Sequence, residues 1–256
     1  MPDETVVILE NKKINEKYYK LTFQSAALSR KVLPGQFLNV QLTETLDPFL
    51  RRPFSYYRVS GKKIEVLYEI LGRGTALLSQ MKKGSELRVN GPLGIPFKTK
   101  TSKGKKRVLI AGGVGVPPLV FLAELFGAEY ILIGTKSKAE VLPKRELANA
   151  KAEILYSTND GSYGTKGFVT TLLEQILKKE SPRNLFIQTC GPNVMMQAVM
   201  KIAKREGIEG EASIDKTMAC GVGACLGCMV MTTEDWVPSC TQGPVFDFNH
   251  LEYQIR

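Results

Sequence analysis

The chain has 256 residues, of which 43% are hydrophobic and 23% charged. At roughly 100–200 residues per domain, that length predicts about two domains with a sizeable core, and the mixture excludes disorder and collagen-like repeats. Lys and Arg number 35 against 25 Asp and Glu, a formal charge of +10 that by itself admits nucleic acid or a membrane surface as partner, but no apolar run approaches about 18 residues, so no integral membrane association is expected.

In chain order, residues 4–97 read as β-rich. Val6-Val7-Ile8-Leu9, Tyr18 to Phe23, Gln36 to Val40, Phe54 to Val59 and Ile64 to Leu71 are short runs of β-formers, separated by turns such as Pro34-Gly35 and Gly61-Lys62. Strands at this spacing predict a barrel or sandwich. Arg51-Arg52-Pro53-Phe54-Ser55-Tyr56-Tyr57-Arg58 sets three arginines among aromatics. The guanidinium fork suits phosphate oxygens; Phe54 could lie against a flat ring and the Ser55 hydroxyl could donate to a ring nitrogen. A strand with a polar face and a core phenylalanine is the competing reading. Gly72-Arg73-Gly74-Thr75, ahead of a helical pattern from Ala76 to Met81, is a second candidate phosphate turn.

Lys98, Lys100, Lys103, Lys105, Lys106 and Arg107 crowd ten positions and read as a solvated linker. Strands and helices alternate beyond it. Val108 to Ala111, Tyr130 to Ile133, Glu153 to Tyr156 and Leu185 to Gln188 are the strands; 117–126, about 139–149, 167–179 and about 193–206 are the helices. Such alternation means a parallel sheet with helical crossovers. The first of these strands runs into Gly112-Gly113-Val114-Gly115-Val116-Pro117-Pro118. A glycine turn between strand and helix suits a pyrophosphate at the helix N-terminus, and proline in the first helical turn is favourable. Pro118 replaces the third glycine of the dinucleotide fingerprint, and a βα turn without ligand stays open as the other reading.

The last forty residues carry four of the five cysteines. Cys220, Cys225 and Cys228 follow C-x4-C-x2-C, with eleven residues before Cys240. That is the plant-type spacing for a [2Fe-2S] cluster, and Gly221, Gly223 and Gly227 permit the tight loop it needs. Zinc would call for a second C-x2-C or histidines, and the sole histidine is His250. Two disulfides would need an oxidising compartment, and the start of the chain has no signal-peptide pattern. The expected division is 1–98 for a β-barrel domain, 99–212 for an α/β nucleotide-binding domain and 213–256 for a cysteine-bearing segment.

Together these motifs resemble the ferredoxin–NADP reductase superfamily over essentially the whole length, and within it the electron-transfer subunits of dihydroorotate dehydrogenase B. The resemblance implies a mixed β and α/β architecture: an N-terminal antiparallel β-barrel FAD domain, a C-terminal parallel α/β nucleotide-binding domain and a short cysteine-rich [2Fe-2S] segment. Arg52, Pro53, Phe54 and Ser55 resemble the family's FAD strand. Leu67, Tyr68 and Glu69 stand where the family lines FAD, and Gly74 and Thr75 match its pyrophosphate turn. Gly113, Gly115 and Pro117 are similar to the nicotinamide-dinucleotide turn, and Cys190-Gly191 to the motif that ends the last α/β strand near the nicotinamide. Met218 to Cys228, with Cys240 and Gly243-Pro244-Val245-Phe246, is the most specific match, and Ser157 to Gly164 adds to it.

The cofactors so implied are FAD, a [2Fe-2S] cluster on Cys220, Cys225, Cys228 and Cys240, and NAD as electron acceptor. No side chain is required as catalytic acid or base. Asp160 follows the third α/β strand, where an acidic residue favours NAD by binding the ribose 2′-hydroxyl, although Lys136 and Lys138 pull toward NADP. The implied activity is that of a cytoplasmic oxidoreductase subunit in pyrimidine biosynthesis. It would relay electrons from the FMN of a dihydroorotate dehydrogenase catalytic subunit through the cluster and FAD to NAD⁺. The expected assembly is a heterotetramer of two of each chain, without nucleic acid and without a dihydroorotate site on this chain. The alternative keeps the cofactors and changes the partner to a sulfide dehydrogenase, hydrogenase or oxygenase.

Overall fold

The computed structural model describes residues 2–45, 47–101 and 104–251. Lys103 of the basic run lies outside the described residues, as do Met1, Leu46, Ser102 and the last five positions.

The first sheet is organised by one long strand. β1 (Asp3–Lys13) pairs through Asp3–Val7 with β7 (Glu86–Leu93), and from Ile8 onward with β2 (Tyr18–Gln24), both antiparallel. The register breaks between Ile8 and Glu10, and such an irregularity bends a strand and increases its twist. With β3 (Phe37–Gln41), β4 (Arg52–Ser55), β5 (Arg58–Ser60) and β6 (Lys63–Glu69), the order is β4-β3-β7-β1-β2-β6-β5. The edge strands β4 and β5 are joined by Tyr56-Tyr57 alone, so the sheet curls back on itself as a barrel. Its interior holds Ile8, Leu21, Phe23, Leu38, Val40, Ile64 and Val66, all fully buried. The single strand expected over 54–59 is thus two, turned at tyrosines whose side chains are completely buried. β7 escapes sequence reading because Asn90-Gly91-Pro92 interrupts its pattern.

The second sheet has the order β11-β10-β9-β8-β12-β13-β16. Its strands are β8 (Lys106–Gly112), β9 (Tyr130–Thr135), β10 (Glu153–Thr158), β11 (Thr165–Lys166), β12 (Leu185–Cys190), β13 (Glu209–Ser213) and β16 (Val245–Asp247); β14 (Met229–Met231) and β15 (Trp236–Pro238) pair apart as a two-stranded ribbon. All pair in parallel except β16, which joins β13 antiparallel. α2 (Val116–Phe126) packs on one face against Leu109, Ile131 and Ile133. α3 (Val169–Leu177) and α4 (Asn193–Arg205) cover Val108, Ile110, Leu132 and Ile187 on the other. The sheet is therefore wound on both sides.

Two sequence expectations change here. The helix expected around 139–149 is a pair of short 3-10 turns, Lys138–Glu140 and Lys144–Leu147. Pro143 lies between them; it has no N–H to give a helix and drives Leu142 toward extended backbone. The apolar spacing was real, since Leu142 and Leu147 are buried. The basic run is not wholly solvated either. Arg107 is buried within β8; its Nε donates to Gln188 at 2.9 Å and its Nη1 to the carbonyl oxygens of Phe126 and Gly127 at 3.2 and 2.8 Å, at the C-terminal end of α2. The cysteine-bearing segment is wound into both sheets: β16 extends the second, and the Ile95 N–H beside the barrel donates to Gly243 O at 2.6 Å. No helix among the described residues is long and apolar enough to cross a membrane.

Candidate functional site

The strand order reverses between β8 and β12, and the carboxyl ends of strands at such a reversal leave a crevice for ligands. Here the crevice faces the barrel and forms a cavity of about 540 Å³, within the ordinary range for a cofactor site. The barrel contributes Arg52, Pro53, Phe54, Ser55, Leu67, Tyr68, Glu69, Gly74 and Thr75 to its lining. The α/β sheet contributes Val114, Pro117, Cys190 and Gly191, and the segment beyond β13 contributes Asp215, Thr217 and Met218. Of the sequence-predicted cofactor residues, Gly113, Gly115 and Asp160 are not among the lining.

On the barrel side, α1 (Arg73–Gln80) begins over Arg52. A Cβ at Gly74 would lie 2.9 Å from Arg52 Nε, so the helix starts close against this guanidinium. Thr75 Oγ1 accepts from the N–H groups of Leu71 and Gly72 at 2.9 and 3.2 Å, which fixes the turn. The first turn of α1 carries no acidic residue, so its partial positive charge adds to that of Arg52. Phe54 belongs to the barrel core, 9% exposed, with its ring edge-on to Tyr68 at 5.8 Å. It reaches the cavity from that seat. Tyr68 is held by its hydroxyl, which donates to Asn11 Oδ1 at 2.9 Å.

On the α/β side the two glycines of the turn do different jobs. Gly113 has φ +52°, and its carbonyl accepts from the Tyr18 hydroxyl of the barrel at 2.8 Å. At Gly115 a Cβ would sit 2.0 Å from the Cys190 carbonyl oxygen. Gly115 thus allows α2 to start flush against β12, a packing reason that the motif alone does not reveal. Cys190 is buried; burial pushes its thiol up to about 12, with the negative charge of Asp215 acting the same way against a bond to Ser213. It remains a neutral thiol at physiological pH. Asp215 was missed by sequence reading, where it is one acid among many. It lies on the lining, and the protein packed around it raises its carboxyl above the usual range. Asp160 stands apart from the cavity. Its carboxylate accepts from the Ser162 N–H and hydroxyl at 2.9 and 2.6 Å, bonds that hold it below the usual range. Ser162 Oγ in turn accepts from the Lys138 N–H at 2.8 Å, tying the loops after β9 and β10 together.

The four cysteines of the tail gather in two pairs. Cys225 N–H donates to Cys220 Sγ at 3.4 Å, and Cys240 N–H to Cys228 Sγ at 3.4 Å. Further N–H groups point at sulfur: Val222 at Cys220 (3.4 Å), Gly223 at Cys240 (3.1 Å) and Gly227 at Cys225 (3.5 Å). Gly221 and Gly223 both have positive φ, +71° and +81°, which turns these N–H groups inward. For Cys220 burial raises the thiol, but the N–H groups of Val222, Cys225 and Ala224 together outweigh it and bring it down to about 6. Cys240 goes up to about 12, through burial and the neighbouring Cys228. Among the described residues no three His, Cys, Asp or Glu converge on one metal ion. A two-iron cluster divides four thiolates between its irons. The paired thiols and the inward N–H groups fit a [2Fe-2S] cluster. Phe37 and Met218 line the cavity and share one buried cluster with Cys228 and Cys240.

Residues 215–252 match the family model described as the iron–sulfur cluster binding domain of dihydroorotate dehydrogenase B. The chain is 36% identical over 238 residues to the dihydroorotate dehydrogenase B (NAD(+)) electron transfer subunit of Desulforamulus reducens, covering 89% of this chain and 90% of the relative. The like-named protein of Fusobacterium nucleatum is 33% identical and is covered in full, by 99% of this chain. Among solved structures, the NADH-dependent reduced ferredoxin–NADP oxidoreductase of an electron-bifurcation study superposes with a TM-score of 0.85 at 24% identity, covering 97% of this chain and 90% of that one. The ferredoxin reductase of carbazole 1,9a-dioxygenase superposes with a TM-score of 0.69 at 18% identity, over 81% of this chain and 67% of that one.

Proposed function

The chain belongs to the family of dihydroorotate dehydrogenase B electron transfer subunits, and from that membership we propose that it relays electrons from a catalytic partner to NAD⁺ through a [2Fe-2S] cluster and FAD. The observation that carries this reading is that Phe37 and Met218, which line the cavity, share one buried cluster with Cys228 and Cys240. When bound, FAD supplies the exchange between two-electron hydride chemistry and the one-electron chemistry of the cluster.

The rest falls to the chain's own residues. Arg52 and the N-terminus of α1 present positive charge to the FAD pyrophosphate, with Thr75 holding the turn in shape. Ser55, Leu67, Tyr68 and Glu69 bound the space for the flavin ring, and Phe54 stiffens it from the core. The Gly113–Pro117 turn receives the nicotinamide dinucleotide, Cys190 and Gly191 border its reactive end, and Asp160 receives the ribose 2′-hydroxyl of NAD. Cys220, Cys225, Cys228 and Cys240 hold the cluster. We assign the barrel to 1–98, the nucleotide-binding unit to 99–212 and the cluster segment to 213–256, with the strand at Val245–Asp247 returned to the second sheet. The finer reading of the partner is an FMN-bearing dihydroorotate dehydrogenase subunit, two of each chain per complex, in the cytoplasm. Coexpression of the two chains, followed by anaerobic assay with dihydroorotate and NAD⁺, should give equal amounts of orotate and NADH. A complex loaded with iron and flavin that forms no NADH would favour a partner of another reaction class.

A further inference from the structure

Asn39 is a barrel residue far in sequence from the cysteine loop. On β3, Leu38 and Val40 face the barrel core, while Phe37 and Asn39 face outward. Phe37 packs with Cys228 and Cys240. Asn39 is fully buried, yet it is an amide where leucine would fill the space. Its Nδ2 donates to the Cys220 carbonyl at 3.3 Å across 181 positions of sequence, and its Oδ1 has no partner among the described residues. The loop comes so close that a Cβ at Gly221 would lie 2.7 Å from Nδ2. A half-satisfied buried amide is costly, so a gain elsewhere must accompany it.

We propose that Asn39 is a positioning residue of the cluster loop, anchoring the Cys220–Gly221 peptide so that its carbonyl is held against the outer wall of the barrel and the following N–H groups point at sulfur. The Cys220 carbonyl is the negative end of a peptide dipole. Asn39 engages it, while the N–H groups of Val222 and Cys225 face Cys220 Sγ. Hydrogen bonds to the sulfurs raise a cluster's potential. A carbonyl released toward them would disfavour the added electron. Asn39 would thereby set how readily this chain's cluster accepts an electron.

The inference rests on the cysteines being cluster ligands, which iron analysis of the unaltered chain tests separately. The experiment compares the full FAD- and iron-loaded chain with Asn39→Leu by anaerobic potentiometry, following the reduced cluster by electron paramagnetic resonance. The expected result is a lower cluster potential with altered g values, the flavin potential unchanged. The shift should approach a tenfold change in the reduction equilibrium, about 59 mV for one electron. Asn39→Ser, a smaller change, carries the same prediction should the leucine variant lose iron. Cluster potential and g values equal to those of the unaltered chain would overturn the assignment. So would an equal shift in Asn90→Leu, whose buried amide lies opposite on β7 and makes no hydrogen bond to the loop among the described residues.

Discussion

The cysteine loop and the cavity beside it are built on opposite plans. In the loop, each sulfur receives its N–H group from a residue no more than seventeen positions away, and the turns are made by local glycines. The cavity draws its lining from β4, β6, α1, the ends of β8 and β12, and the segment after β13. It exists only because the barrel and the α/β sheet abut at a fixed angle. A charge network spans that junction: Arg58 of β5 grips Glu124 of α2 through Nε at 2.8 and 2.9 Å, and Lys20 of β2 donates to Glu146 at 2.8 and 3.0 Å. The loop should therefore fail only where it is touched, and the cavity should fail from a distance.

The sharpest break in that contrast is Cys228→Ser. Loss of a ligand should empty the loop of iron and lower partner-linked NADH formation more than about 100-fold, beyond the usual cost of a supporting contact. Bound FAD, read from the visible spectrum, should stay stoichiometric. Gly115→Ala acts on the other plan. Its methyl meets the Cys190 carbonyl, so α2 must shift, at about 3 kcal/mol in a urea titration, the upper end of overpacking. FAD content should fall with it.

Arg58→Ala should cost somewhat less, about 2 kcal/mol. Breaking a fully buried pair costs about 3–5 kcal/mol, but this guanidinium keeps some contact with water. Iron should be retained, which separates cavity from loop. The same network gives a pH effect. Burial raises the Glu146 carboxyl, yet Lys20 and Arg58 outweigh burial and hold it below its ordinary 4.5. A depressed folded value means the stabilisation is present above 4.5 and is lost as the pH falls through the lower, folded value. The urea-midpoint advantage over Glu146→Gln should therefore shrink between neutral pH and pH values well below that figure. Least in size is Asp160→Ser. Asp160 is exposed, and the preference for NADH over NADPH in kcat/KM should fall only roughly fivefold, as for a solvent-screened contact.

Legibility followed the same division. The cysteine spacing could be read directly because a cluster loop is closed by neighbours in sequence. The strands with strong β-formers could be read, as could α2, α3 and α4, whose apolar faces repeat. Pro143 undid the helix expected around it, and Asn90-Gly91-Pro92 concealed β7. Arg107 looked solvated within its basic run, but it is buried in β8 and bonded to Gln188 and to the C-terminal end of α2. Asp215 and Asn39 carried no local signal at all.

Local chemistry, then, was already determined by the amino-acid order: where four thiols could share a metal group, where glycine turns could accept phosphate, and that strands precede alternating strands and helices. Such features depend on residues a few positions apart, whose geometry the backbone limits tightly. Only the tertiary structure decided that Gly115 serves packing against Cys190, that Asp215 lies on the cavity lining, and that a barrel asparagine holds the Cys220 carbonyl. Those contacts join segments up to 181 positions apart. They arise from how two curved sheets and a tail bury one another, which no short-range pattern encodes.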